Sequence, residues 1–381
     1  MTDGNPVPVT PPGADVPAAA PSRSASLDAL RGFDMFWIVG AEGLVKGLHR
    51  LSDTGLTRTL AGQLEHSGWE GCTFYDLIFP LFVFIAGAAM SFSLDRHSEH
   101  GGTREAVWRL IRRGVFLYLV GVFYYGGISD GIGGVRWLGV LQRIALASML
   151  GGLLALGAST RRIAATVAAI LLGYWALMAL VPVPGVGAGD YAEGHNLANW
   201  IDSVWLPGKR YDGDHDPEGI LSTLPAVATC LLGFLAGRLL KAPEPSPARK
   251  VIVLAAWGVT GVVLGWAWHP AFPVVKKIWT SSYVLVAGGW SAILLGLFYW
   301  AVDVRGWSRW ATPFVWIGTN ALAIYLMHNV ADVWGMSSRL VGGDIAKLAG
   351  HWSGFLLAAT TLVLTFLVAR FLYVRRIFIK L

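Results

Sequence analysis

The stretch EHSGWEGCTFYDLIFPLFVFIAG, residues 65–87, sets Glu65, His66, Glu70 and Asp76 at the edge of a long apolar run. Imidazole, with an ordinary pKa of about 6.5, suits proton transfer near neutral pH. A carboxylate within reach can orient such a ring, as in other bases held by a third group. Ionisable side chains are costly inside a bilayer, so each one found there is a functional candidate by default. The same criterion selects Asp34, Glu42, Arg143 and His328, with Asn320 as an uncharged companion.

The elements that must position these residues are apolar helices. The chain is 54% hydrophobic and 14% charged, where a soluble domain carries about 25% charge. The apolar residues come in blocks, and about 20 mostly apolar residues span a bilayer as a helix. Eighteen Trp suit interfacial belts. The blocks predict spans at 27–48, 73–94, 107–127, 137–157, 163–182, 220–240, 250–268, 283–302, 313–332 and 352–373. The expectation is an all-α, polytopic transmembrane bundle of about ten spans, a single domain over 26–381 embedded in a lipid bilayer. Residues 1–25, rich in Pro, Ala, Ser and Gly, read as a disordered cytoplasmic tail. They lack the apolar region of a signal peptide. Cys72 and Cys230 make neither a disulfide framework nor a metal motif.

Most Lys and Arg fall in segments on the same side as the termini, which predicts that both termini are cytoplasmic. The net charge of +6 then reflects topology. No aromatic-basic pattern accompanies it, so no nucleic-acid partner is expected. On the opposite side the loops 49–72, 183–219 and 333–351 are long, and loops of this length are usually functional or disordered. Residues 211–218, YDGDHDPE, resemble a calcium loop in composition only. They lack EF-hand spacing, and no metal is expected there.

A helical rise of about 1.5 Å per residue gives each candidate a depth. Glu42 and His328 lie in the outer part of the membrane, Asp76 and Arg143 just inside its outer surface. Asp216 and Glu218 stand at the outer mouth of one helix, Lys276, Lys277, Trp279, Ser281 and Ser282 at that of another. Each also has a structural reading. Glu42 pairs with Lys46 at i,i+4, Asp76 satisfies backbone N–H groups at a helix start, Arg143 is a buried pair partner, and His328 is a hydrogen-bonded core residue.

Several blocks in order resemble one family: SLDALRGFDMFWIVG (26–40), HSGWEGCTFYDLIFPLFVFIAG (66–87), RRGVFLYLVG (112–121), RWLGVLQRIALAS (136–148), DPEGILSTLPAVATCLLGFLAG (216–237), KKIWTSSYVL (276–285), VDVRGW (302–307) and GTNALAIYLMHNV (318–330). The chain resembles a bacterial member of the heparan-alpha-glucosaminide N-acetyltransferase family of transmembrane acyltransferases. The resemblance implies an inner-membrane, multi-pass enzyme. It would move an acetyl group from cytosolic acetyl-CoA, a co-substrate, to a sugar amine or hydroxyl on the far side. No permanently bound cofactor is implied, and a homo-oligomer is allowed. The family's catalytic histidine corresponds to His66, and the position of an implicated asparagine carries Glu42 here.

On that reading His66 is the general base, with Asp76 or Glu42 orienting its ring. Arg143, Ser281 or a tryptophan N–H would stabilise the tetrahedral oxyanion. Arg143, Asp216, Glu218, Lys276, Trp279, Ser281, Asn320 and His328 would line the substrate site. Arg112, Arg113, Arg305 and Arg309, at the inner ends of helices, would hold the CoA nucleotide or act only as topology signals. Two kinetic routes stay open, direct attack and an acetyl-histidine intermediate. The alternative function is a small-solute transporter, whose occluded site would need a similar polar cluster.

Overall fold

The computed structural model describes residues 24–100 and 102–379. The expected tail therefore lies outside the described residues, apart from Ser24 and Ala25. The described residues are helical, with two isolated β-bridges, Arg136 to Gly208 and Val183 to Gly187. The helices are α1 (Ala25–Phe36), α2 (Glu42–Leu51), α3 (Gly55–Gln63), α4 (Ile78–His100), α5 (Gly102–Tyr124), α6 (Val140–Ala155), α7 (Thr160–Leu180), α8 (Leu197–Trp205), α9 (Thr223–Lys241), α10 (Pro247–Trp268), α11 (Ser281–Phe298), α12 (Thr312–Gly318), α13 (Ala321–Val330), α14 (Val333–Val341), α15 (Gly343–Ala349) and α16 (Ser353–Val374).

Among the described residues, six segments are long and apolar enough to cross a membrane: Tyr75–Leu94, Thr160–Leu180, Thr223–Lys241, Pro247–Trp268, Ser281–Val304 and Gly343–Val374. The other spans expected from sequence take different forms. Span 27–48 breaks between α1 and α2, where Gly40 takes a φ of 116° that glycine adopts without a Cβ clash. Span 313–332 breaks into α12 and α13 at Thr319–Asn320. Span 137–157 becomes the 16-residue α6. Span 107–127 lies in α5, whose first half carries Arg104, Glu105, Arg109, Arg112 and Arg113.

Close helix crossings hold the bundle together, as expected where dispersion, not hydrophobic exclusion, favours association. At the crossing of α4 and α9, a Cβ on Gly87 would collide with the Cys230 carbonyl, and one on Gly233 with that of Phe84. At the crossing of α1 and α12, Gly32 and Gly318 meet the Phe314 and Asp28 carbonyls in the same way. Buried apolar residues from α4, α6, α7, α9 and α11 form the largest core cluster. The polar loops before α4, α6, α9 and α11 gather at one end of this core, and their side-chain contacts form the site.

Candidate active site

The residues before α4 fold around one carboxylate. Asp76 is fully buried. Its Oδ2 accepts the Ser67 amide at 3.1 Å, the Ser67 hydroxyl at 2.8 Å and the Thr73 amide at 3.1 Å. The Thr73 hydroxyl donates to the Glu65 carbonyl at 2.6 Å, closing the loop. The remaining oxygen, Oδ1, lies 2.8 Å from His66 Nδ1. An ionised carboxylate only accepts, so Nδ1 carries a proton in this contact. The His66 side chain is 55% exposed. The structural and the catalytic readings of Asp76 therefore describe the same carboxylate: one oxygen organises the loop, the other orients the histidine.

Lys276 joins them from the turn before α11. Its Nζ lies 3.3 Å from Asp76 Oδ1, and 2.9 and 3.4 Å from the two ring nitrogens of His66. Burial pushes the Lys276 ammonium down from its ordinary range, and the Asp76 carboxylate opposes that shift. The turn itself is strained. Trp279 has a φ of 50°, unusual for a bulky residue. It is held by its amide bond to the Lys276 carbonyl at 2.9 Å and by its indole N–H bond to Thr229 at 3.1 Å. Two further bonds tie this turn and α11 to the histidine loop. The Gly71 amide donates to the Val274 carbonyl at 2.8 Å, and the Tyr283 hydroxyl donates to the Asp76 carbonyl at 2.6 Å.

Glu42 pairs with Lys46 at 3.4 Å, the local pairing available from sequence. It also lies beside the Tyr75 hydroxyl, and the Tyr75 ring sits 4.9 Å from that of His66. Asp216 and Glu218 are committed to a buried guanidinium that sequence reading did not single out. Arg136 donates to Asp216 at 2.8 and 3.0 Å and to Glu218 at 2.7 Å. Burial pushes the Glu218 carboxyl up to about 7, outweighing the opposing Arg143 and Arg136 charges. Glu218 in turn acts electrostatically on Lys276.

Arg143 is fully buried, bonded to the Ser222 hydroxyl and to the Gly219 carbonyl at 3.3 Å, with its guanidinium 4.9 Å from the Trp279 ring centre. It supports the strained turn from behind. Ser281 is buried and donates to the Leu171 carbonyl at 2.7 Å. Cys72 adjoins the site, but burial pushes its thiol up to about 12, so it offers no thiolate.

Other candidates sit elsewhere. The Asn320 amide bonds the Ile377 carbonyl and the Ile379 amide, both at 3.0 Å, at the chain's C-terminal segment. His328, half-buried on α13, has Asp332 as its charged neighbour. Arg112 and Arg113 are exposed on α5, and Arg305 and Arg309 are exposed in the turn after α11, Arg305 lying 5.5 Å from the Trp300 ring centre. The first pair and the second are on separate elements.

An oriented imidazole, a buried carboxylate behind it and an ammonium alongside make the candidate site. An acyltransferase domain family model matches residues 24–373. The chain belongs to this acyltransferase family. It is 27% identical over 326 residues to heparan-alpha-glucosaminide N-acetyltransferase of Homo sapiens, which covers 70% of this chain and 49% of that protein. To the protein of the same name in Mus musculus it is 26% identical over 327 residues, with the same shares. The acyltransferase thus spans about half the length of these curated relatives. Ser67, Thr73, Tyr75, Arg136 and Tyr283 support the candidate site and were not evident from sequence. Arg136 lies before α6, in the bridge to Gly208, and no spacing in the sequence marked it.

Proposed function

We propose that the protein transfers an acetyl group from cytosolic acetyl-CoA to a sugar amine or hydroxyl on the outer side of a bacterial inner membrane. The reading includes ten crossings and cytoplasmic termini, the smaller crossings being the broken or short helices named above. The observation that carries it is the 2.8 Å hydrogen bond between His66 Nδ1 and Asp76 Oδ1 on a half-exposed histidine side chain. In this mechanism Nε2 takes a proton from the acceptor nitrogen or oxygen as that atom attacks the thioester carbonyl. The Lys276 ammonium, 3.4 Å from Nε2, is placed to stabilise the oxyanion, a contribution worth roughly 3–4 kcal/mol for a preorganised donor. Collapse of the tetrahedral intermediate breaks the carbon–sulfur bond. The imidazolium returns its proton to the CoA thiolate.

Direct attack is favoured over an acetyl-histidine route because His66 and Lys276 stand together at a half-exposed mouth. Donor and acceptor can meet there. The test uses proteoliposomes loaded with labelled acetyl-CoA and a panel of external amino sugars and neutral glycans. Label is expected on an external acceptor. Solute movement without any consumption of acetyl-CoA would refute the enzyme reading.

A further inference from the structure

We propose that Glu193, Asp212 and His215 form a binding site for a divalent cation of the zinc class, on the loops beside His66 and Lys276. Their ligand atoms all lie within 4.8 Å of one another. His215 Nε2 is 3.6 Å from Glu193 Oε1 and 3.5 Å from Asp212 Oδ2. Tetrahedral ligands about 2.1 Å from a zinc ion stand about 3.4 Å apart, so these spacings are the edges of such a shell.

The acidic cluster does not carry the argument alone. The His215 side chain is only 4% exposed, and its Nε2 has no hydrogen-bond partner among the described residues. The other ring nitrogen, Nδ1, lies 2.6 Å from Asp214 Oδ1. That bond puts the ring proton on Nδ1 and aims the Nε2 lone pair at two carboxylate oxygens. The two carboxylate oxygens share the Lys277 ammonium, and the His215 Nε2 that faces them is left without a partner among the described residues. A histidine oriented through its second nitrogen by a carboxylate is the common second-shell arrangement of metal sites. Glu193 is 44% exposed, which leaves a path for an ion.

Lys277 competes for the same oxygens. Its Nζ lies 2.6 Å from Glu193 Oε1 and 3.0 Å from Asp212 Oδ2. Its ammonium also lies 5.9 Å from the Trp69 ring centre. A metal ion replaces this ammonium and adds the imidazole that the lysine leaves unpartnered. Trp69 also packs edge-on against His215 at 6.4 Å. The ion would clasp the 193 and 212–215 loops against the loop that carries His66.

The site is independent of the acetyl-transfer reading and is tested without turnover. Full-length protein in detergent, stripped with chelator, is titrated with Zn2+ by calorimetry, and bound metal is counted by mass spectrometry. One equivalent is expected. His215→Ala should abolish it, and Asp214→Ala should weaken it by roughly 10–100-fold. Lys277→Met should tighten it by about tenfold or more, because a like charge a few ångströms away is removed. If His215→Ala does not fold, Asp212→Asn decides the same loss. Absence of saturable binding, or binding unchanged in the ligand variants, overturns the site. So does a Lys277→Met protein that gains no affinity and is only less stable, since the cluster would then be an ion pair alone.

Discussion

At the scale of the residue, Asp76 has two tasks that one substitution separates. Asp76→Asn keeps the size and a carbonyl oxygen. It can also present an N–H to His66 Nδ1, which would move the ring proton to Nε2 and remove the base. Turnover is expected to fall by roughly 10²–10⁴-fold, the range for loss of general base catalysis, with acetyl-CoA binding retained. Turnover assays beside calorimetric titration of acetyl-CoA check this. Glu42 makes a different prediction. Its pairing with Lys46 is about one-third exposed, and such i,i+4 pairs are worth about 0.3–0.5 kcal/mol. Stability therefore has little to lose in Glu42→Gln. A carboxylate beside Tyr75 favours an acceptor that is cationic or neutral near its reactive group. The variant is expected to lose turnover with amino sugars while binding the donor normally. Best wild-type activity on an acidic oligosaccharide, or a variant that is merely less stable, would contradict this.

At the scale of the element, α8 is a half-buried helix within the long loop, tied by Asp202 to the residues that lead into α9. Asp202 at its C-terminal end accepts the Ile220 amide at 2.8 Å and the Asp216 amide at 3.4 Å. Burial pushes its carboxyl up to about 6. The folded state then binds more protons than the unfolded state between about pH 4 and 6. Stability is fullest below the unfolded value of about 4 and falls as pH rises towards 6. The contribution is about 3 kcal/mol for a shift of about two units. Asp202→Asn should flatten that part of a thermal-unfolding profile against pH; an unchanged slope would assign the loss to Glu218 instead. α8 was not legible in the sequence, where 183–219 read only as a long polar loop. Its nine residues carry a helical apolar spacing behind an Asn196 cap, but they are too short to stand out in a long polar loop without the burial of Leu197, Ala198 and Asp202. The apolar α4, α7, α9, α10, α11 and α16 were legible because their apolar runs were continuous.

At the scale of the whole molecule, the gathering of polar groups at one end could be read from depth alone, but the partners could not. His66 and Asp76 are ten residues apart at one helix mouth, within local reach. Lys276 is 210 residues from His66, and only the docking of α11 on α4 and α9 brings it there. Asn320 illustrates the reverse. It was placed with the other intramembrane polar residues by sequence, yet the break between α12 and α13 turns its amide towards the C-terminal segment. The proposed topology puts the C-terminus in the cytoplasm and the 183–219 loop outside. Reporter fusions at both places should be active accordingly, and an externally active C-terminal fusion would overturn the depth argument.

The central claim is that His66 does chemistry and does not hold the donor. Its most direct test is acetyl-CoA binding and acetyl transfer measured side by side for wild type and His66→Ala. The account predicts near-equal donor affinity with turnover reduced by roughly 10²–10⁴-fold. Undiminished turnover, or donor binding lost in step with it, would contradict the account.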